Sequence, residues 1–465
     1  KRGTGLFAEL TTRTKLGVRG LPPAESIHLV HRTVLPNGLR VVTVPQPHLH
    51  TATIAVMVKV GARHETQRDN GISHLLEHML FRGSQRYPSA YRLNRAIEEL
   101  GGTLHGATHA DSTLFEVTLP PTNVEAGLEI LGDLFARPTF SDLDVEKRIV
   151  REEILEYLDD AGREADPDNI SRQLLFGAHP LGMTITGSLE NLERADEDAL
   201  RAHMERYYVA SNMVLCVAGA VDERVVLRAA HAAFGDLPTG VPSRPRRAKL
   251  APNQDRFRHV PSPGLQSELR LSFPTFGSSD PRYLALELLV RVIDDGMSTR
   301  LHRRMCEELG LAYEVFATLE PFEESGVLDL GGVVEHRKVP LFIRTALKLL
   351  NELTHKPVTR AELEKAKRRY KWQLEAILDD AQTMCSHYGH RALVGQEGHI
   401  GALREMVDRV TAAELRTVAR QIFTRESLHA VVVGVLSRSD QKKARRAMTA
   451  LGRERRLGRR AAALA

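Results

Sequence analysis

The stretch His74-Leu75-Leu76-Glu77-His78 decides how this chain is interpreted. On an α-helix, positions i and i+4 lie on one face, so His74 and His78 can bind a single metal ion. Glu77 lies one turn from His74, where it can reach a water on that metal without being a ligand itself. Zinc held by two imidazoles and one carboxylate keeps a position for water and lowers its pKa towards 7. The pentapeptide therefore indicates a zinc hydrolase.

The residues around the pentapeptide favour a helix. Gly71-Ile72-Ser73 offers a flexible residue and a cap for a helix that starts near Ser73. Apolar residues continue through Met79-Leu80, and Gly83-Ser84 ends the run. With 20 His in 465 residues, such a motif arises by chance in roughly one chain in twenty. A buried amphipathic helix with incidental histidines is therefore the alternative.

A third ligand is expected from residues 144–160. This segment lacks Gly and Pro and places apolar residues at helical spacing, which predicts a long amphipathic helix. Glu146 and Glu153 lie seven residues apart, two turns along one face. Spacing alone does not choose between Glu152, Glu153 and Glu156 as the ligand. For most of these carboxylates a solvated acidic face is the alternative.

With these residues in place, the chain resembles the pitrilysin-type (M16) metallopeptidases, which include the mitochondrial processing peptidases and their bacterial relatives. Members carry an inverted zinc motif, H-x-x-E-H, followed downstream by a pair of glutamates of which the second is a ligand. Glu146-x₆-Glu153 matches that pair, and 74 residues separate His78 from Glu153. The resemblance implies that His74, His78 and Glu153 bind one Zn²⁺ per chain. It also makes Glu77 the catalytic base and Glu146 a carboxylate that supports a ligand.

The resemblance extends to residues 35–42 (LPNGLRVV), 60–65 (VGARHE) and 78–84 (HMLFRGS), and it spans most of the chain. It implies an α+β fold of two duplicated domains that face each other across a cavity. Each domain is expected to be a largely antiparallel sheet with helices packed on one face. The implied activity is that of a zinc-dependent endopeptidase acting on extended peptides or unfolded segments.

An internal repeat supports this duplication. Residues 98–101 (EELG) recur at 307–310, and the helical pattern of 146–160 recurs at 364–380. The region between the repeats is rich in Pro, Gly and charge and predicts a linker. We therefore expect a zinc-bearing domain over 26–235, a linker over 236–256 and a metal-free homologous domain over 257–465.

The second repeat has lost the metal-binding residues. Leu288, Arg291 and Val292 align with the two histidines and the glutamate of the motif. We therefore expect one zinc per chain, in the first domain. The second domain is then expected to form the other wall of the site.

The resemblance also implies an arginine and a tyrosine that stabilise the oxyanion, in a pattern L-R-x-x-x-G-L-A-Y. Residues 305–313 read MCEELGLAY, so Tyr313 is in place as a catalytic residue but Cys306 stands where the arginine is expected. A thiol supplies neither a fixed positive charge nor a bidentate fork. Arg303 or Arg304, from the previous turn, is the alternative donor.

Substrate is expected to bind as an added strand on a sheet edge within residues 102–119, where residue types alternate along the chain. Relatives commonly carry G-G-x-x-N-A-x-T, and this chain reads GGTLHGAT over residues 101–108. His105 thus replaces an asparagine that helps to position substrate. His105, Ala107 and Thr108 are the predicted substrate-binding residues.

An intact zinc motif beside a broken Arg/Tyr pair predicts the metal-bearing subunit of a heterodimer. A homologous partner subunit would then supply the Arg/Tyr pair, and a homodimer is the second choice. Two rival functions are a structural or assembly subunit without catalysis and a zinc hydrolase that acts on something other than peptides. Four convergent polar groups argue against the first, and a substrate strand argues against the second.

Composition limits the partners. No apolar run approaches the ~18–20 residues that span a bilayer. The basic tail over 442–460 lacks aromatic or motif support for nucleic-acid binding, so it predicts a solvated helix.

The three cysteines, Cys216, Cys306 and Cys385, have no metal-binding spacing. They favour a reducing compartment, the cytoplasm, with a periplasmic or secreted location left open. His387 and His390 have spacing that suits a metal, but an exposed helix is the preferred interpretation.

Overall fold

A computed structural model describes residues 30–252, 255–396 and 398–451. Residues 26–29 of the predicted first domain and 452–460 of the predicted basic helix lie outside the described residues. Two mixed β-sheets, one in each half of the chain, organise the structure. The predicted domain bounds and the linker over 236–256 stay predictions.

The first half contributes a six-stranded sheet. Its strands are β1 (His31–Val34), β2 (Arg40–Pro45), β3 (Ala52–Val58), β4 (Thr103–Thr108), β5 (Thr113–Leu119) and β6 (Met213–Gly219). Its helices are α1 (Ile72–Leu80), α2 (Ala90–Glu99), α3 (Val124–Ala136), α4 (Leu143–Glu156), α5 (Pro167–Phe176), α6 (Leu189–Arg194), α7 (Glu197–Tyr207) and α8 (Glu223–Phe234).

The second half contributes a five-stranded sheet. Its strands are β7 (Phe257–Val260), β8 (Ser267–Phe276), β9 (Ala312–Pro321), β10 (Ser325–Val334) and β11 (His429–Val433). Its helices are α9 (Tyr283–Ile293), α10 (Arg300–His302) with a π-helical continuation (Arg303–Glu308), α11 (Val339–His355), α12 (Arg360–Ala376), α13 (Ala381–Leu393), α14 (Ile400–Arg409), α15 (Ala412–Ile422) and α16 (Arg438–Met448).

The two sheets repeat one topology. The first has the order β1-β2-β6-β3-β5-β4 and the second has the order β7-β11-β8-β10-β9. Every neighbouring pair is antiparallel except β2–β6 and β7–β11, which are parallel. Strands β4 and β9 occupy corresponding edges, and among the strands of the described residues β1 alone lacks a counterpart. The predicted α+β fold with two duplicated, largely antiparallel domains is confirmed.

Each sheet also has a helix from the other half on its second face, which the sequence analysis did not predict. Helices α3 and α8 cover one face of the first sheet, and α13 packs on the opposite face against β3 and β6. Reciprocally, α5 packs on β8 and β11 of the second sheet. In β3, Ile54 and Val56 join the core of the first half, whereas Ala55 and Met57 join the core that contains α13. The two halves are therefore in direct contact through the exchanged helices.

Arg63 links the first half to the linker and to the second half. Its side chain is fully buried, and its guanidinium pairs with Asp111 at 3.1 Å and with Glu324 in the β9–β10 turn. It also donates to the carbonyl of Arg246 at 2.9 Å. Because Asp111 lies in the β4–β5 turn, this one cation joins the corresponding hairpins of the two halves.

No helix in the described parts of the chain is long and apolar enough to span a membrane. Of the predicted basic helix, residues 442–448 lie in α16, which ends at Met448 with Thr449 as its C-cap. Residues 452–460 lie outside the residues described.

Replacing Arg63 with Met should destabilise the protein strongly. The change leaves the Asp111 and Glu324 carboxylates without their cation in a water-poor site, which costs about 3–5 kcal/mol of unfolding free energy. Urea unfolding followed by circular dichroism measures this loss. Arg95→Met, which removes an exposed pair with Glu99, is the matched control and should change stability by less than about 1 kcal/mol. Equal effects of the two variants would contradict the bridging role.

Candidate active site

Helix α1 is anchored by its apolar face and by a buried carboxylate at its start. Leu75, Leu76 and Met79 are almost completely buried in the first-half core. Gly71, at the N-cap, has φ +99°, and a Cβ there would lie 2.7 Å from the carbonyl of Thr186. The position therefore requires glycine.

Glu65 is the residue that caps α1. Its carboxylate accepts hydrogen bonds from the backbone N–H groups of Gly71 and Ser73, both at 2.8 Å, and from the Asn70 amide at 2.9 Å. Burial raises the pKa of Glu65 despite these bonds. The expected cap, Ser73, instead hydrogen-bonds His203 Nε2 at 3.1 Å, and the helix begins at Ile72. A carboxylate at a helix N-terminus also interacts favourably with the helix dipole.

The structure brings His74, His78 and Glu153 together. One ligand atom from each lies within 4.8 Å of the others. The Nε2 atoms of His74 and His78 are 3.4 and 3.6 Å from the two Glu153 oxygens, and the imidazole centroids are 4.5 Å apart. Among Glu152, Glu153 and Glu156 of α4, Glu153 is thus the residue whose carboxylate lies beside the two histidines of α1.

Glu146, one of the buried residues of α4, contacts His78 on the side of the imidazole that faces away from Glu153. His78 Nδ1 is 2.7 Å from one Glu146 oxygen, and Arg82 pairs with the other. Burial alone lowers the pKa of His78, but the hydrogen bond and the charges of Glu77 and Glu146 outweigh it and raise the pKa. Burial favours a higher pKa for Glu146, yet its bonds with His78 and Arg82 lower it. With Nδ1–H donated to Glu146, His78 presents the Nε2 lone pair towards Glu153.

Glu77 lies against the edge strand β4. Thr108 Oγ1 donates to one of its oxygens at 3.2 Å, and both side chains are buried. A Cβ at Gly106 would lie 2.3 Å from the other oxygen, so this glycine makes room for the carboxylate. Burial raises the pKa of Glu77 against the opposing charges of His78 and His74. The arrangement keeps a basic carboxylate beside the candidate metal ligands.

The predicted substrate segment folds as two strands, and only β4 is an edge. Side chains alternate along it, so Gly106 and Thr108 face α1, whereas His105 and Ala107 face the opposite side of the sheet. His105 is exposed and lies across from Glu116 of β5. Thr108 therefore contacts the catalytic candidate, while His105 and Ala107 share only their backbone with that side.

The C-terminal candidates lie apart from this cluster. Tyr313 is 96% exposed on β9, the edge strand of the second sheet. Cys306 is partly buried against the second-half core. Arg303 and Arg304 both pair with Glu308. Within the described residues, no contact joins any of these side chains to His74, His78 or Glu153.

In the second half, helices α9 and α12 stand where α1 and α4 stand in the first. Leu288 and Val292, at the positions of the two histidines, are buried in the core. Arg291 pairs with Asp295 at 2.9 Å. Beside it, Tyr370 donates to Glu287 at 3.0 Å, and burial raises the pKa of Glu287 to about 7.

The histidines of α13 do not form a metal cluster with Cys385 in the described structure. The Cys385 thiol donates to the carbonyl of Thr53 at 3.3 Å, on the face of α13 that covers the first sheet. Burial lowers the pKa of His387 to about 4. The predicted exposed helix is therefore half buried between the two halves.

Comparison with known families agrees with this geometry. Residues 40–187 match the family model described as "Insulinase (Peptidase family M16)", and residues 194–370 match "Peptidase M16 inactive domain". Together the matches cover more than two thirds of the chain. The chain belongs to peptidase family M16. The inactive-domain match includes α9 and most of α12.

Curated relatives of this M16 chain carry protease names. The "uncharacterized zinc protease YmxG" of Bacillus subtilis is 29% identical over 418 residues, which are 87% of this chain and 98% of the relative. The "uncharacterized zinc protease SCO5738" of Streptomyces coelicolor is 27% identical over 441 residues, covering 92% and 94% of the two chains.

Solved structures share the M16 fold at lower identity. A protease from Helicobacter pylori has a TM-score of 0.79 at 18% identity, covering 88% of this chain and 100% of that one. A chain of complex III2 from Candida albicans has a TM-score of 0.74 at 17% identity, covering 90% and 100%. These similarities concern the fold alone.

Replacing Glu146 with Gln should weaken zinc binding by about 10–100-fold, because the variant loses the charge that orients the His78 imidazole. Titration against a fluorescent zinc chelator measures the affinity. Glu152→Gln, on the exposed side of the same helix, is the matched control and should bind zinc as the parent does. An unchanged affinity in Glu146→Gln would contradict the supporting role.

Glu287 should make stability fall as the pH rises. Its folded-state pKa of about 7 lies above the ordinary glutamate value of 4.5, so the folded chain keeps a proton that the unfolded chain has released. The loss begins near pH 4.5 and is complete above pH 7. Urea midpoints measured across this window should depend less on pH in Glu287→Gln than in the parent. In the control Glu364→Gln, an exposed position on α12, the slope should not change; a parental slope in Glu287→Gln would overturn the assignment.

Proposed function

We propose that this chain is a zinc-dependent endopeptidase that hydrolyses extended peptides or unfolded segments. The observation that carries the proposal is the convergence of His74, His78 and Glu153 beside a buried Glu77 at the free edge of a sheet. A metal site placed at a strand edge suits a substrate that binds in extended form.

The residues present fit zinc. Two imidazole nitrogens and a carboxylate oxygen are ligands that zinc takes in hydrolytic sites, where a further position stays open to water. The bond to Glu146 leaves the correct nitrogen of His78 free to bind a metal. In the described residues this is the one group with three such donor atoms close together, so we propose one zinc per chain.

When bound, zinc would act as a Lewis acid that lowers the pKa of water to near 7 and polarises the substrate carbonyl. Glu77 would accept the proton of the attacking water and deliver it to the leaving amine. Its burial supports this role because a raised pKa makes the carboxylate a better base at neutral pH. Thr108 would hold Glu77 in position through its hydroxyl.

The backbone of β4 would bind the substrate strand. Its outer N–H and C=O groups have no neighbouring strand in the sheet, so an extended peptide can pair with them whatever its side chains. His105 and Ala107 would contact the substrate through their backbone on the metal side of the sheet and through their side chains on the opposite side. A non-peptide hydrolase would not need this edge, which favours a peptidase over that rival.

We further propose that this chain is the metal-bearing subunit of a heterodimer whose homologous partner supplies the Arg/Tyr pair. Cys306 cannot replace an arginine, and Arg303 and Arg304 are engaged with Glu308. The exposed Tyr313 is placed where a second subunit can reach it, so a homodimer is the alternative. A structural subunit is the remaining rival, and the four convergent polar groups argue against it.

The compartment that we propose is the cytoplasm. Cys216, Cys306 and Cys385 are all free thiols in the structure. Proteins of oxidising compartments more often use their cysteines in disulfides.

The deciding experiment is turnover of an unstructured, internally quenched peptide with zinc present. We expect the isolated chain to be slow and the homologous subunit to restore cleavage. Glu77→Gln should reduce that cleavage by about 10²–10⁴-fold because it removes the general base. Zinc content is measured in the same samples, since a chain that binds no zinc would support the structural rival.

The control is Glu99→Gln, which changes an exposed carboxylate of α2 that pairs with Arg95. This control should leave cleavage intact. Turnover at about 1–10³ s⁻¹ by the isolated chain would contradict the heterodimer and favour a homodimer. Cleavage that survives in Glu77→Gln would contradict the role of Glu77.

A further inference from the structure

A cavity of about 920 Å³ lies in the second half of the chain, which lacks the candidate metal ligands. It is lined by one side of α9, by α12 and by α13, together with the loop that precedes α9. The cavity lies beside the two helices that repeat α1 and α4, but Leu288 and Val292, at the positions of the two histidines, are buried in the core and do not line it. Its chemistry differs, since the ligands of the first half have no counterparts here.

One wall of this cavity carries two buried polar nitrogens without partners. His387 Nε2 and Arg391 Nε, both from α13, are buried and lack a hydrogen-bond partner among the described residues. Arg391 donates from Nη1 to Gln396 at 3.3 Å, but no carboxylate pairs with it in the part of the chain that the structure describes. Burial lowers the pKa of Arg391, as expected for a guanidinium removed from water without a paired anion.

The other charged groups of the cavity are already matched. Asp280 pairs with Arg282 at 2.6 Å, and Arg291 pairs with Asp295. Glu287 accepts the Tyr370 hydroxyl, and its raised pKa reduces its negative charge at neutral pH. Of the two arginines that line the cavity in the described structure, Arg391 is therefore the one without a paired carboxylate.

The opposite wall is apolar. Leu284 of α9 contributes to it with Leu374 of α12, Ile377 just beyond α12, and Met406 of α14. A ligand that satisfies both walls needs an anionic group next to an apolar body. The free C-terminus of a peptide has this chemistry, because its carboxylate is attached to the same carbon as the terminal side chain.

We propose that this cavity binds the free C-terminal carboxylate of a peptide whose last side chain is apolar, with Arg391 and His387 as the recognition residues. The site is separate from the proposed catalytic centre and is tested by binding alone. A peptide held here would be tethered to the chain through its end.

The experiment is calorimetric titration of the full chain carrying Glu77→Gln, which prevents cleavage. The probes are an octapeptide ending in Leu as the free acid and the same peptide as its C-terminal amide. We expect the amide to bind at least about tenfold more weakly, since it removes a charged hydrogen-bond acceptor. Arg391→Gln and His387→Gln should each weaken binding of the free-acid peptide and leave binding of the amide peptide unchanged.

Arg163→Gln is the matched control, because that arginine is exposed, pairs with Asp159 and does not line the cavity. It should bind the free acid as the parent does. Equal binding of acid and amide would overturn the proposal. So would inorganic phosphate or acetate competing as strongly as the peptide acid, which would indicate a site for small anions. If Arg391→Gln does not fold, His387→Gln decides, and parental binding by it overturns the assignment.

Discussion

Burial of both faces of the first sheet is the constraint on which the rest of the structure depends. Strands β3 and β6 are covered on one side by helices of their own half and on the other by α13. This packing fixes the sheet, and through it the position of β4 at the edge and of α1 beside that edge. The candidate metal ligands therefore rest on contacts made by residues more than two hundred positions away.

The site consists of an outer layer of partly exposed side chains and an inner layer of buried ones. His78 and Glu153 are partly exposed, whereas Glu77 and Glu146 are buried behind them. Glu146 holds His78 through a hydrogen bond, and Glu65 fixes the start of the helix that carries both histidines. The buried carboxylates Glu65 and Glu77 accept hydrogen bonds from neutral donors, as burial of a polar group requires.

Much of this arrangement could be predicted from the sequence because helical spacing is local. The i and i+4 histidines needed only a period of 3.6 residues, whereas the choice of Glu153 and Glu146 within their helix came from the family resemblance. Glu65 was missed as a cap because the loop that returns it to α1 has no periodic signal. Strand alternation predicts that His105 and Thr108 lie on opposite sides of the sheet, but only once residues 103–108 are recognised as one strand. The partner of α13 was not predictable, since an apolar helix face does not specify which sheet it covers.

The exchange of helices also sets an order for making the protein. The ribosome completes all six strands of the first sheet by Gly219, but the helix that covers their second face ends at Leu393. During the synthesis of the intervening residues, one apolar face of the finished sheet has no cover from its own chain. A nascent first half therefore cannot bury that face within its own chain until α13 emerges.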